Sequence, residues 1–331
     1  MHSRLGIIFL GSGLFLVFGC GDQKKDETVA GSARVVEVPA FNRDSAYYFV
    51  QEQVDLGPRI PNSKAHQQAF EVITSRLTKY GAKVRVQEFD TPSIDGPQLH
   101  LKNIIGAFNP ESKKRVVLAA HWDTRPYADK DEEDTYALFD GANDGASGVG
   151  VLLEIARHLG SGNQPAVGVD LIFFDGEDWG DREDARNQVP PPPGYETWWC
   201  LGSQYWSKNK GSYQAFYGIL LDMVGAKNAK FYREGVSLEY APRIVDKVWA
   251  TAARLGYADY FVTQNAHATT DDHYFVNEYA KIPMINIVHY QPGLGYYGDF
   301  HHTTKDNMSL ISRETLGAVG ATVLNVVYYE E

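Results

Sequence analysis

The sequence predicts an α/β fold: one globular domain with a central, mostly parallel mixed sheet flanked by helices. Three observations point there. Short, wholly apolar runs recur along the chain, as buried central strands require. Segments with apolar residues at helical spacing alternate with those runs, the pattern of a sheet with crossover helices. No internal repeat divides the chain. Ser63 to Gly81 has helical spacing and stops at a glycine, so it reads as a helix. Val84 to Phe89 alternates and reads as a strand, and Leu101 to Phe108 as a second. Arg115 to Asp123 holds the core Val116-Val117-Leu118-Ala119-Ala120, a strand buried on both faces. Val149, Leu152, Leu153, Ala156 and Leu159 share one helical face. Asp170 to Asp175 and Tyr217 to Val224 are further buried strands. Leu238 to Leu255 reads as one long helix, Pro283 to His289 as a central strand, and Ser312 to Tyr328 as the final helix. Asp178 to Trp199 contains the prolines Pro190 to Pro193 and can be neither helix nor central strand, so it reads as a surface loop.

Composition sets the class. The chain has 331 residues, 44% apolar and 13% aromatic, which excludes global disorder and suffices for a large core. A formal charge of −11 without a Lys/Arg run argues against nucleic acid as a partner. Arg4, the apolar stretch Leu5 to Phe18 and then Gly19 describe a secretory signal. The stretch is short for a membrane span. Val17-Phe18-Gly19-Cys20 resembles a lipobox, with Cys20 the lipidated residue; a plain signal peptide or an uncleaved anchor is the less favoured alternative. These features divide the chain into a signal peptide (1–19), a lipidated flexible tether (20–40) and a catalytic domain (41–331). Gln23-Lys24-Lys25-Asp26-Glu27 resembles the export tags of some outer-membrane lipoproteins. The expected location is thus the bacterial cell envelope, at the outer membrane, with contact to the bilayer only through the lipid. The other cysteine, Cys200, would be unpaired, so an exported domain would lack an internal disulfide.

The chemistry lies just after the buried strands, where open α/β sheets bind ligands. His121-Trp122-Asp123 follows the first, Asp175-Gly176-Glu177-Asp178 the next, and Asp222 closes a third. His301-His302 comes soon after the last strand, and Asp144 precedes a helix that opens Gly145-Ala146-Ser147-Gly148. Singly, each has an ordinary explanation. Asp144 could cap its helix, Asp222 could be a buried structural acid, and His302 could be a surface residue. Together they would repel or lose hydration unless something neutralises them, and mixed His and carboxylate ligation suits zinc. No Gly-x-Ser-x-Gly elbow is present, and Cys200 has no evident histidine partner, so a serine or cysteine hydrolase is disfavoured.

His121-Trp122-Asp123, Asp144 to Gly148, Phe174 to Asp178 and His302-Thr303 resemble the ordered motifs of zinc aminopeptidases. Leu220 to Ala226, Asp271-Asp272-His273 and His302 to Asn307 add a similarity to glutaminyl cyclases. Together the matches span roughly residues 45 to 330. The resemblance implies a zinc aminopeptidase-like fold, one catalytic Zn²⁺ per chain on Asp144, Asp178 and His302, and Glu177 as acid/base. It also implies a hydrogen bond between Asp222 and Asp272 beside the metal. The implied reaction converts the N-terminal glutamine of peptides or proteins to pyroglutamate with release of ammonia. Trp198 and Trp199 would wall the glutamine pocket, or else simply pack in the core. A monomer is expected.

Two rivals remain on the same residues. A zinc aminopeptidase would hold a second zinc on His121 and Asp222, with Asp144 bridging and Asp123 orienting His121. A catalytically dead peptide-binding module is less favoured, since the implied ligands and Glu177 are all present. The sequence departs from the family pattern in Ala120, where animal cyclases carry a cysteine, in His301, where a tryptophan is usual, and in Asp178, where glutamate is frequent.

Overall fold

A computed structural model describes residues 36–182, 189–293 and 297–331. The expected signal peptide, Cys20 and the tether as far as residue 35 lie outside these described residues. The compact unit begins at Val36, and Val36, Val38 and Phe41 pack against the core.

In chain order the elements are α1 (Arg43–Val54), α2 (Lys64–Lys79), β1 (Lys83–Pro92), β2 (Gln98–Phe108), β3 (Arg115–His121), α3 (Ala146–Leu159) and β4 (Gly168–Phe174). There follow α4 (Leu201–Asn209), β5 (Tyr217–Asp222), β6 (Phe231–Arg233), α5 (Gly235–Tyr240), α6 (Pro242–Arg254) and β7 (Phe261–Asn265). The chain ends with α7 (Asp272–Phe275), a π-helical turn (Val276–Ala280), β8 (Met284–Val288) and α8 (Arg313–Tyr328). Serine side chains start two helices where expected: Ser63 accepts from the His66 N–H and Ser312 from the Thr315 N–H.

Six strands form one mixed sheet in the order β1-β2-β4-β3-β5-β8. β3, β4, β5 and β8 run parallel, while β1 and β2 form an antiparallel edge. Every residue of β3, β4, β5 and β8 is buried. The alternation shows why: Val116, Leu118 and Ala120 face one core, and Val117 and Ala119 face another. The first core is roofed by α1, α3, α6 and α8, the second by α4 and the π-helical turn. β6 and β7 form a separate two-stranded sheet. Among the described residues no helix is long and apolar enough to cross a membrane.

The long helix expected from Leu238 to Leu255 is two helices. Pro242 is the first residue of α6, and Ala241 before it has φ −139° and ψ 47°. Proline has no N–H to continue α5 and disfavours helical geometry in its predecessor, so the break follows from the covalent structure. Helices α1 and α4 and the small sheet were not anticipated.

One glycine sets the site's depth. A Cβ on Gly148 would lie 2.2 Å from the Leu221 carbonyl oxygen and 2.9 Å from Ala120 Cβ. Only glycine lets the first turn of α3 rest on β3 and β5, which puts Asp144 over the strand ends. Gly148→Ala should therefore lower stability by about 1–3 kcal/mol, read from the midpoint of urea unfolding. An unshifted midpoint would show that this close approach is not a constraint.

Candidate active site

Adjacent parallel strands deliver their last residues to one point. β3 ends at His121 and β5 at Asp222, while the turn after β4 presents Glu177 and Asp178. The N-terminal approach to α3 brings Asp144 over them, and the loop before α8 brings His301 and His302. The resulting cavity, about 630 Å³, is lined by all of these except His121 and also by Lys130, Trp199, Met223, Thr270, Asp271 and Tyr297.

His121 sits under the floor of this cavity. Its Nε2 lies 3.0 Å from Asp144 Oδ1 and 3.3 Å from Asp222 Oδ1, and its Nδ1 lies 3.5 Å from Asp123 Oδ1. Asp123 also accepts the backbone N–H groups of Glu177 and Asp178, each at 3.1 Å. That carboxylate therefore fixes the turn that carries two functional side chains. Gly145, at φ +89°, allows close passage here: a Cβ would lie 2.8 Å from the Asp123 carbonyl oxygen.

His302 approaches both of the other residues expected to hold zinc. His302 Nε2 is 3.0 Å from Asp178 Oδ1 and 3.7 Å from Asp144 Oδ2. His302 adopts φ +58°, a left-handed conformation uncommon outside glycine and held here by its surroundings. His301 Nε2 lies 3.9 Å from Asp144 Oδ2, so it is a further donor within reach. The loop is tied to the Asp144 turn by Asp306, which accepts the N–H groups of Asn143 at 2.7 Å and Asp144 at 3.0 Å. Burial, then the nearby Asp144 charge, pushes the Asp306 carboxyl up to about 8.

Burial dominates the site's electrostatics. It raises Asp144 to about 6 and Asp178 to about 7, each helped by neighbouring carboxylates. Burial, with Asp144 next, lifts Asp222 to about 6 against the pull of the nearby His121 imidazole. Glu177 is pushed well above the ordinary carboxylate range by burial, aided by the charges of Asp178 and Asp271. Its Oε1 accepts a hydrogen bond from the Cys200 thiol at 3.2 Å. Burial and the cations Arg125 and Lys130 keep His302 neutral, the state a metal ligand requires.

Two expectations are corrected. The cavity is lined by Asp271, not Asp272. Asp271 caps α7, accepts from Asn286 Nδ2 at 2.6 Å, and feels the Asp222 charge, which with burial lifts it to about 6. Asp272 is the next residue, inside α7, and is buried beside Ser203 and Asp271. Adjacent residues at a helix start point in different directions, so a one-residue shift changes which acid meets Asp222. Similarly, Trp199 lines the cavity but Trp198 does not. The Trp198 indole donates to the Val189 carbonyl at 2.8 Å and pins the proline-bearing loop. Trp199 lies parallel to His302, 5.8 Å between ring centres. Tyr297 and Thr270 carry no sequence signal that would have singled them out.

The residues fit a divalent cation. His121 Nε2, Asp144 Oδ2 and Asp222 Oδ1 are sealed from solvent without a hydrogen-bond partner. Donor atoms of Asp144, His301 and His302, and separately of His121, Asp144 and Asp222, lie within 4.8 Å of one another. Oxygen and imidazole donors in this mixture suit zinc.

Residues 103–327, well over half of the chain, match the model of peptidase family M28. The chain belongs to peptidase family M28. It is similar over 89% of its length to a Zn-dependent exopeptidase from Parabacteroides distasonis, at 48% identity, TM-score 0.85 and 100% coverage of that chain. It is equally similar to Bacteroides thetaiotaomicron glutaminyl cyclase bound to N-acetylhistamine, at 47% identity, TM-score 0.85 and the same coverage. Bovine glutaminyl-peptide cyclotransferase is 32% identical over 43% of this chain, and the match spans 46% of that enzyme's length. The M28 membership and the six-stranded mixed sheet agree with the fold expected from the sequence.

Protons compete for this site. Metal held by the expected ligands would have to expel the protons that burial retains on Asp144 up to about pH 6 and on Asp178 up to about pH 7. Zinc affinity should therefore climb by at least about a hundredfold from pH 5 to pH 8 and flatten above, in competition with a chelator of known pH dependence. A flat profile would remove these two carboxylates from the ligand set.

Proposed function

We propose that this chain is a zinc-dependent glutaminyl-peptide cyclotransferase acting on peptides or proteins with N-terminal glutamine. The observation that carries the reading is the placement of Asp271 beside Asp222 in the cavity that holds Glu177, in a chain that aligns along the full length of a bacterial glutaminyl cyclase. Asp144, Asp178 and His302 would hold one zinc, and Glu177 precedes Asp178 in sequence and shares the cavity wall with all three.

Bound there, zinc would act as a Lewis acid on the side-chain amide of the substrate glutamine. The rest falls to the chain's own groups. Glu177, whose carboxyl has a raised affinity for protons that suits a group that must also give one back, takes a proton from the substrate α-amine. The amine nitrogen bonds to the side-chain amide carbon, and the bond from that carbon to its NH₂ nitrogen breaks. Glu177 delivers the proton to the departing nitrogen, which leaves as ammonia, and a five-membered lactam remains. Asp222, facing Asp271, is placed to accept a hydrogen bond from that nitrogen. The Cys200 thiol holds one oxygen of Glu177, leaving the other for the substrate. Trp199 and Tyr297 keep the chain end in a folded, near-attack arrangement.

A dinuclear aminopeptidase is the second reading, favoured by the proximity of His121, Asp144 and Asp222. The product separates the two. A Gln-initiated peptide should yield lactam and ammonia; release of free amino acid would sink the cyclase reading. In the same assay Glu177→Gln should lower kcat by about 10²–10⁴-fold while zinc stays bound. Asp271→Asn should cost at least about tenfold in kcat/KM, and Asp272→Asn much less. The reverse order would return the role to Asp272.

The address of the enzyme rests on its first residues. We propose a signal peptide over residues 1–19 and lipidation of Cys20, which would anchor the domain to the cell envelope. The support is the lipobox-like Val17-Phe18-Gly19-Cys20. Cys20→Ser should shift the protein from the membrane fraction to the soluble fraction on lysis. Unchanged partitioning would end this part of the proposal.

A further inference from the structure

Beneath His302, on the side away from the cavity, lies a buried ion pair that the reaction scheme does not use. The Arg125 guanidinium grips Asp129 in a fork, with Nε to Oδ1 at 2.8 Å and Nη2 to Oδ2 at 2.6 Å. Both side chains are fully buried. Such a pair gains little over an apolar substitute unless its geometry serves something else.

What it touches is specific. Asp129 Oδ1 lies 3.6 Å from His302 Nδ1. That nitrogen is sealed in protein and has no hydrogen-bond partner. The separation is a few tenths of an ångström beyond a normal hydrogen bond. Arg125 reaches the second expected ligand by two routes. Its backbone N–H donates to Asp178 Oδ2 at 3.1 Å, leaving Oδ1 toward His302 Nε2, and its Nη1 donates to the Asp178 carbonyl at 3.0 Å. The guanidinium also lies 4.6 Å over the Trp199 ring, which is parallel to His302. The next residue, Lys130, donates its backbone N–H to the His302 carbonyl at 3.2 Å. One short segment, Arg125 to Lys130, thus holds both Asp178 and His302.

We propose that Asp129, oriented by Arg125, is the positioning residue for the metal site: it accepts the Nδ1–H of His302 and so presents Nε2 to the cation between Asp144 and Asp178. This rests on the zinc reading above, which makes His302 and Asp178 ligands. The tautomer follows from the acceptor. A carboxylate at Nδ1 requires the proton there, which frees the Nε2 lone pair, and it also restricts rotation of the ring.

The test measures zinc affinity of the full chain by chelator competition, with the visible spectrum of the Co²⁺-substituted protein as a report on ligand geometry. His302→Ala is the control for the ligand set. Asp129→Ala should weaken zinc binding by about 10–100-fold and alter the cobalt bands. Because Asp129→Ala leaves Arg125 buried and unpaired, the double variant Arg125→Met/Asp129→Leu is measured beside it. That variant removes both charges at similar volume and should fold, yet it still lacks an acceptor for His302. Its circular dichroism should match wild type while its zinc affinity falls by the same factor. A folded double variant with wild-type zinc affinity and an unchanged cobalt spectrum would overturn the proposal, leaving the pair a structural one. If His302→Ala itself binds zinc as wild type does, the ligand assignment fails and the proposal with it.

Discussion

The constraint on which the structure depends is electrostatic. Asp123, Asp144, Asp178, Asp222 and Asp271 are buried together with His121 and His302 at the ends of apolar strands. Each carboxylate loses hydration, and each repels the next, so several retain protons well above their ordinary range. A fold tolerates such a cluster only if a cation or shared protons neutralise it. At His121, Asp144 and Asp222 buried donor atoms lie without hydrogen-bond partners, and an imidazole and carboxylates so grouped suit a cation.

Support comes from carboxylates that do not themselves enter the cavity. Asp123 accepts the N–H groups of Glu177 and Asp178, and Asp306 accepts those of Asn143 and Asp144. Each acid therefore clamps the backbone of a turn carrying functional residues. The clamps matter because the turns leave strands and helices with unsatisfied N–H groups, which would otherwise need water in a dry region. Asp306 further ties the loop of His302, distant in sequence, to the N-terminal approach of α3. The result is a site built on rigid elements, with loop residues locked by long-range hydrogen bonds.

Much of this was legible in the sequence because the signals were of the right kind. Runs such as Val116 to Ala120 can only be strands buried on both faces, and their downstream neighbours mark the carboxyl edge of the sheet. That reasoning found His121, Asp144, Glu177, Asp178, Asp222 and His302 in one region. Where it went astray, the information lay in side-chain direction. Asp271 and Asp272 are chemically identical neighbours, and only the capping geometry of α7 decides which one faces Asp222. Trp198 and Trp199 differ in the same way across a turn. The undivided helix from Leu238 to Leu255 was a different lapse, since Pro242 announced its break. Arg125 and Asp129 gave no signal, because an Arg and an Asp four apart in a loop look like ordinary surface charges until burial is known.

The distinction between cyclase and peptidase chemistry lies in what Asp222 is free to do. His121 and Asp222 sit close enough to Asp144 to receive a second cation, and nothing in the ligand inventory forbids it. Burial and the Asp222 charge, however, raise the proton affinity of Asp271, and a carboxylate that shared a proton with such a neighbour would be a weaker metal ligand. In the proposed cyclase, Asp222 would keep an oxygen for the leaving nitrogen; in a dinuclear peptidase the same oxygen would be taken up in holding a cation. On that reading a single helix cap, Asp271, would favour an intramolecular attack by the substrate's own amine over an attack by water.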